Sequence, residues 1–386
     1  MSDPKMSDPK NSESPAFAAP GDGQPPENGN AGEHSLAEIL SQPECWNSCL
    51  KSLANDQSFS DFAGRFESAS GWLFVGCGSS YYVAQSAAAT ALSLSGRRAQ
   101  AIPASELLLY PEPALVAAGG LTPVLISRSG RTSEVIKAAE LLKSRAIPTL
   151  AITCAPRERL EKIADAAILL SAADEQSMVM TRSFSSMLLA LQVSAARAAG
   201  DSRFVGSLQK MPGMAAPILQ TLPTEIRKFV NQHRFSDYVC LGQGPFFGLA
   251  CEYALKLTEM SLSYAQAFHT LEFRHGPKSI VGPETLLVFL LSDSGYGAER
   301  EVLEEMKTLG GTTLTITNRA DGRVRAASDL VVELSLDVRE VARLAPTLLT
   351  GQLLGLYTGL HKGLDPDSPR NLSRVVTLSN EPSRTG

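Results

Sequence analysis

The chain repeats itself. WLFVGCGSSYYVA (72–84) is matched 166 residues on by YVCLGQGPFFGLA (238–250), and LISRSGRTSE (125–134) by LLSDSGYGAE (290–299) at an offset of 165. IPTLAITC (147–154) pairs with GTTLTITN (311–318), and DAAILLS (165–171) with DLVVELS (329–335), both at 164. Each match alone is weak, but four in order at nearly one spacing indicate a duplicated unit. A length of 386 residues accommodates two such units. Within each unit, short β-rich runs (LFVG, PVLIS, PTLAIT, AAILLS; then YVCLG, TLLVFLLS, TLTIT, LVVELS) alternate with helical stretches. That alternation predicts an α/β fold of two tandem domains, each a parallel sheet with helices on both faces and right-handed crossovers. An aromatic content of only 6 % suits such layers better than a β-sandwich.

The expected divisions are a disordered tail over 1–33, a helical lead-in over 34–65, a first domain over 66–215, a linker helix and second domain over 216–378, and a C-terminal tail over 379–386. The start repeats MSDPK and then runs through Pro, Gly, Ser, Asn and acids. Ser35 and Glu38 have the spacing of a capping box for the lead-in helix. Long helices are expected over 181–200 and 339–363, closing the two units, with a helical linker over 223–235 between them.

Several function classes drop out. The start has no apolar stretch to serve as a signal peptide, and no later apolar run reaches ~18 residues, so a cytoplasmic location without membrane association is expected. A net charge of −5 with no Lys/Arg block argues against nucleic acid. Six cysteines without CxxC spacing and five histidines without a ligand pair point to reduced, mostly buried thiols and no metal. GCGSSYY (76–82) lacks the third glycine and the acid ~20 residues on that a dinucleotide would need, Glu106 being the nearest, so no cofactor is expected.

Three places carry chemistry. In LISRSGRTSE a buried strand ends at Ser127 and a helix begins near Thr132, a turn that offers free N–H groups and the positive end of a helix dipole to an anion. Ser127, Ser129 and Thr132 add hydroxyls, Gly130 permits close approach, and Arg128 or Arg131 supplies charge; Ser79 and Ser80 stand at a similar turn. A helix N-cap with spare serines is the plainer reading. The partner loop SDSGYG carries Asp293 where the first has Arg128, and a carboxylate there would repel phosphate, so one loop is expected to bind and the other to be scaffold. In GLACEYALKLTEMSLSYA, Glu252, Lys256 and Glu259 share one helical stripe. A solvated salt-bridged face would explain it, but the helix follows the GQG turn and so starts at the crevice where α/β folds bind ligands. There a carboxylate could act as general base. LEFRHGPKSIV places His275 on a loop where Pro277 ends any helix, a position suited to proton transfer near neutrality, although taken alone a surface or structural histidine is the plainer reading.

Together HSLAEILSQP, GCGSSYYVA, SRSGRTSE, EYALKLTEMS, AFHTLEFRHGP and GLDPDSPRNLSRVVT resemble the sugar isomerase (SIS) domain family, in particular double-domain members similar to the isomerase half of glucosamine-6-phosphate synthase. FRHGPKSIVGPETLLVF and the Arg in SRSG look closest to the galactosamine-6-phosphate deaminase/isomerase (tagatose-6-phosphate ketose/aldose isomerase) group. The resemblance implies that Ser80, Ser127, Ser129 and Thr132 hold a sugar phosphate, with Arg128 where the synthases have Gln. It implies that Glu259 shuttles a proton between C1 and C2, that Lys256 and Glu252 support it, and that His275 opens the ring. It further implies a homodimer in which His275 reaches the neighbouring subunit's site. PRNLSR departs from the synthase pattern by placing Arg374 at the Schiff-base lysine position, and a guanidinium cannot form an imine. The start also lacks the cysteine of a glutamine-hydrolysing domain. The expected activity is therefore an amino-sugar 6-phosphate deaminase/isomerase without cofactor, on galactosamine or glucosamine 6-phosphate. Plain aldose–ketose isomerisation, a transaminase-like isomerase lacking the glutaminase domain, and a noncatalytic sugar-phosphate regulator are the alternatives.

Overall fold

The computed structural model describes residues 31–376 and contains two five-stranded sheets. The first comprises β1 (Gly71–Gly76), β2 (Arg98–Pro103), β3 (Thr122–Ile126), β4 (Leu150–Thr153) and β5 (Ala166–Leu169), in the order β2-β1-β3-β4-β5. The second comprises β6 (Asp237–Gly242), β7 (Tyr264–His269), β8 (Thr285–Leu290), β9 (Thr312–Thr317) and β10 (Leu330–Glu333), in the order β7-β6-β8-β9-β10. Every pairing is parallel and the two orders are the same, so the sequence repeat is a structural one. Strands β1 and β8 are buried along their whole length, as expected where helices cover both faces of a parallel sheet.

All eight strands read from the sequence are present, and β2 and β7 are additional. These two edge strands, RAQAIP and YAQAFH, are only partly buried and lack the apolar run that marks the others. The repeated AQA at 99–101 and 265–267 is the signal that could have revealed them. The capping box is not formed. The lead-in helix begins at Glu33 after Gly32, with no side-chain cap, and Ser35 and Glu38 lie inside it. Their side chains have distant partners instead, Ser35 Oγ donating to Asp367 Oδ1 at 2.5 Å. Residues 1–30 and 377–386, which hold most of the expected tails, lie outside the described residues. The expected linker is the second of two helices, Ser202–Ala215 and Ile218–Gln232.

One apolar core runs through both halves, built on the helices Ser79–Ser95, Arg182–Ala198, Phe247–Ser261 and Leu344–His361. Trp46 anchors the lead-in to it and donates its indole N–H to Ser185 Oγ at 2.7 Å. The helix Leu344–His361 carries Gly351, Gly355 and Gly359 on one stripe against Phe247–Ser261. A Cβ at these positions would meet the Tyr253 ring at 2.3 Å, the Lys256 carbonyl at 3.0 Å and the Met260 carbonyl at 2.2 Å. Glycine thus lets the two helices approach closely and press Lys256 into the core. Helix propensity alone would make Gly359→Ala stabilising. The clash with Met260 reverses the sign, and a loss of about 1–3 kcal/mol is expected in urea unfolding.

Candidate functional site

The acidic helix Phe247–Ser261 begins just past the end of β6. Its polar stripe is not a solvated face. Lys256 and Glu252 are fully buried, and only Glu259 reaches a surface, with 18 % of its side chain exposed. Lys256 Nζ lies 2.5 Å from Glu259 Oε2 and 3.3 Å from Glu252 Oε1. Ser79 Oγ, at the start of the helix after β1, donates to Glu252 Oε1 at 3.1 Å, so the first half contributes to the cluster. Burial, with a smaller push from Glu259, raises the Glu252 carboxyl to about 7 despite the attraction of Lys256. Burial pulls Lys256 down, but its two carboxylates outweigh this and its pKa is raised. The ammonium therefore stays charged beside Glu259.

A raised folded-state pKa means that ionising Glu252 costs the folded state. The stability it contributes is present below about 4.5 and is lost as the pH rises through about 7. In urea unfolding, the difference between wild type and Glu252→Gln is expected to move in favour of the variant between pH 5 and pH 8. A pH-independent difference would contradict the raised pKa.

Facing Glu259 is the hydroxyl loop between β3 and the helix Ser133–Ser144. Ser80, Arg128, Ser129, Thr132, Glu259 and Arg374 line one cavity of about 170 Å³, with Met178–Met180 forming another wall. Ser127 Oγ sits 3.3 Å from Thr132 Oγ1 beside it. Gly130 has φ 61°, and a Cβ there would meet the Glu158 side chain at 2.8 Å, so the tight turn needs glycine. The cavity thus brings hydroxyl donors from the first half against a carboxylate from the second.

The SIS domain family model matches residues 66–197 and 238–354, more than half of the sequence. The chain belongs to the SIS domain family. It is 30 % identical over 359 residues to glutamine–fructose-6-phosphate aminotransferase [isomerizing] of Pyrobaculum aerophilum, covering 89 % of this chain and 57 % of that protein. The chain spans about half the length of the curated relatives it matches. Among solved structures, glucosamine-6-phosphate deaminase from Thermotoga maritima superposes with a TM-score of 0.72 at 30 % identity, over 89 % of this chain and 100 % of that one. A protein from Clostridium novyi NT described as a tagatose-6-phosphate ketose/aldose isomerase gives a TM-score of 0.77 at 25 % identity, over 91 % and 95 %.

The two SIS halves differ where the repeat is most alike. In the second, Glu340 fills the loop: its Oε2 accepts from the N–H groups of Asp293 and Ser294 at 2.8 and 3.1 Å, and its Oε1 from Ser294 Oγ at 2.5 Å. A carboxylate of the chain itself occupies the anion cradle. In the first half Glu175, one position off the 164-residue register that would pair with Glu340, turns elsewhere. Glu175 accepts from the N–H groups of Thr181 and Ser183 at 2.6 and 3.0 Å, at the start of the helix Arg182–Ala198, and from Arg128 Nη1 at 3.2 Å. Among the described residues, no carboxylate accepts from the backbone N–H groups of Arg128 and Ser129 in the way Glu340 does in the second loop.

Arg128 lines the cavity, but its guanidinium is engaged by Glu175, the Met178 carbonyl at 2.9 Å and the Arg374 carbonyl at 3.4 Å. Arg374 bonds Asp174 Oδ1 at 2.8 Å and the Glu175 carbonyl, which clamps the 174–180 segment. Glu38 clamps it from the other side, accepting from the Gln176 and Ser177 N–H groups at 2.6 and 3.2 Å. Sequence reasoning misses the place of both Glu175 and Glu38 at this wall. No local pattern marks this role of either residue. His275 does not join the cluster within one chain. It is exposed between the 3₁₀ turns Glu272–Arg274 and Pro277–Ile280, outside the residues lining the cavity.

Proposed function

We propose that the chain is a sugar-phosphate isomerase that releases ammonia from a 2-amino-2-deoxyaldose 6-phosphate. The observation that carries this is Glu259 at the edge of a cavity whose opposite wall is the hydroxyl loop, with its carboxylate held in place by a fully buried Lys256. Ser80, Ser129 and Thr132, with Ser127 behind them, would hold the phosphate. In the open-chain substrate, Glu259 takes the C2 proton to give an enaminol and returns a proton to C1. The product is a C2 imine, whose hydrolysis yields the ketose phosphate and ammonia. Lys256 and Glu252 lie behind Glu259 and hold it in place through the Lys256 ammonium, with no exposed surface for the sugar. The 30 % identity to a glucosamine-6-phosphate deaminase over that protein's full length supports amine release.

Ring opening needs a proton donor, and among the described residues no histidine lines the cavity. His275 on its exposed loop would supply it to a neighbouring subunit of a homodimer. Arg374 would act by holding the 174–180 wall and not as an imine-forming residue. Incubating the protein with galactosamine 6-phosphate and glucosamine 6-phosphate is expected to release ammonia and ketose phosphate in equal amounts. Ketose formed only from unaminated aldose phosphates would instead make it a plain isomerase. Binding without either product would make it a sugar-phosphate regulator.

A further inference from the structure

At the other end of β6 from the acidic helix lies a cavity of about 220 Å³ that has no part in this chemistry. Phe235 and Tyr238 provide its aromatic surface, and His233, Arg234, His361 and Lys362 its polar one, with no carboxylate among the lining residues. It lies where the helices Ile218–Gln232 and Leu344–His361 end, and cations often serve to cap such ends. Capping accounts for two of the four. Lys362 Nζ donates to the Ser261 carbonyl at 3.3 Å and to Ser263 Oγ at 2.8 Å, and His233 Nδ1 lies 2.8 Å from the Phe229 carbonyl.

It does not account for the others. His361 Nε2 is buried without a hydrogen-bond partner, a costly state for a polar atom. Arg234 is exposed and has no ion pair among the described residues, and it stands beside two further basic groups. Burial, then Arg234 and Lys362, hold the His361 imidazole below its ordinary value, so these groups oppose one another's charge. A bound anion would satisfy the orphan nitrogen and relieve the repulsion together. A doubly charged oxyanion with several acceptor oxygens matches a set of converging donors better than a single carboxylate does.

We infer that this cavity binds a phosphate group, either inorganic phosphate or the phosphate of a small monoester, held by Arg234, His361 and Lys362 beside the Phe235 and Tyr238 rings. The inference does not rest on the proposed activity, because the site is separate from the Glu259 cavity. The test follows the His361 ring-proton resonance of the full chain, assigned by its loss in His361→Gln, while inorganic phosphate or glucosamine 6-phosphate is added. The apparent pKa of His361 is expected to rise by about one pH unit at saturation. In Arg234→Met and Lys362→Met the same response should require at least about tenfold more ligand, consistent with the loss of a charge-assisted bond. Equal potency of the two ligands would assign the site to the phosphate group alone, and greater potency of the ester would add sugar contacts; both outcomes support the site. A His361 resonance that ignores both ligands in the wild type, or a response undiminished in both variants, would overturn it. Each of these results is independent of whether ammonia is released.

Discussion

Glu259→Gln is expected to lower kcat on the sugar phosphate by roughly 10²–10⁴-fold, the usual loss when a positioned general base is removed. Sugar-phosphate affinity should survive. The amide is nearly isosteric, its oxygen can still accept from Lys256, and the hydroxyl loop across the cavity is untouched. The kcat loss and the retained binding, read by turnover and by calorimetric titration, separate a chemical role from a packing role. A variant with wild-type kcat would remove Glu259 from the mechanism.

Lys256→Met is expected to be the most destabilising single change near the site. It strips the only cation from a buried cluster and leaves Glu252, which has no exposed surface, uncompensated beside Glu259. Breaking a buried pair in this way costs about 3–5 kcal/mol. The cost should be smaller at pH 5 than at pH 8, because the Glu252 carboxyl, raised to about 7, is neutral at the lower pH. Urea unfolding at the two pH values reads both effects, and Lys256→Met combined with Glu252→Leu should recover much of the loss. A single-variant loss below about 1 kcal/mol, typical of exposed pairs, would mean that the cluster is not the buried one described here.

What was legible in the sequence is what short range encodes. SRSGRT and EYALKLTE each place their chemistry within one turn or one helix, and the structure brings both to a single cavity. The repeat revealed two sheets and an unequal pair of loops. The burial of Lys256 was not legible, because i,i+4 Glu–Lys spacing is the same on a solvated helix; it is decided by a glycine stripe about a hundred residues downstream. The grip of Glu38 on Gln176 and Ser177 spans more than 130 residues and leaves no local trace. Its spacing from Ser35 imitates a capping box, and a distant partner overrides that local pattern. The edge strands β2 and β7 escaped for a simpler reason: half-exposed strands need no apolar run.

If Glu259 moves a proton on an amino-sugar phosphate and so releases its amine, the hydrogen lost from C2 must reappear at C1 or exchange into solvent. The most direct measurement follows glucosamine and galactosamine 6-phosphates by NMR in D₂O, with ammonia assayed in parallel, for wild type and Glu259→Gln. Wild type is expected to give ketose 6-phosphate and ammonia in equal amount, with C1 gaining one hydrogen drawn from C2 or, after exchange on Glu259, from solvent, and the variant neither. Normal turnover by Glu259→Gln, or ketose formed without loss of the amine, would contradict this mechanism.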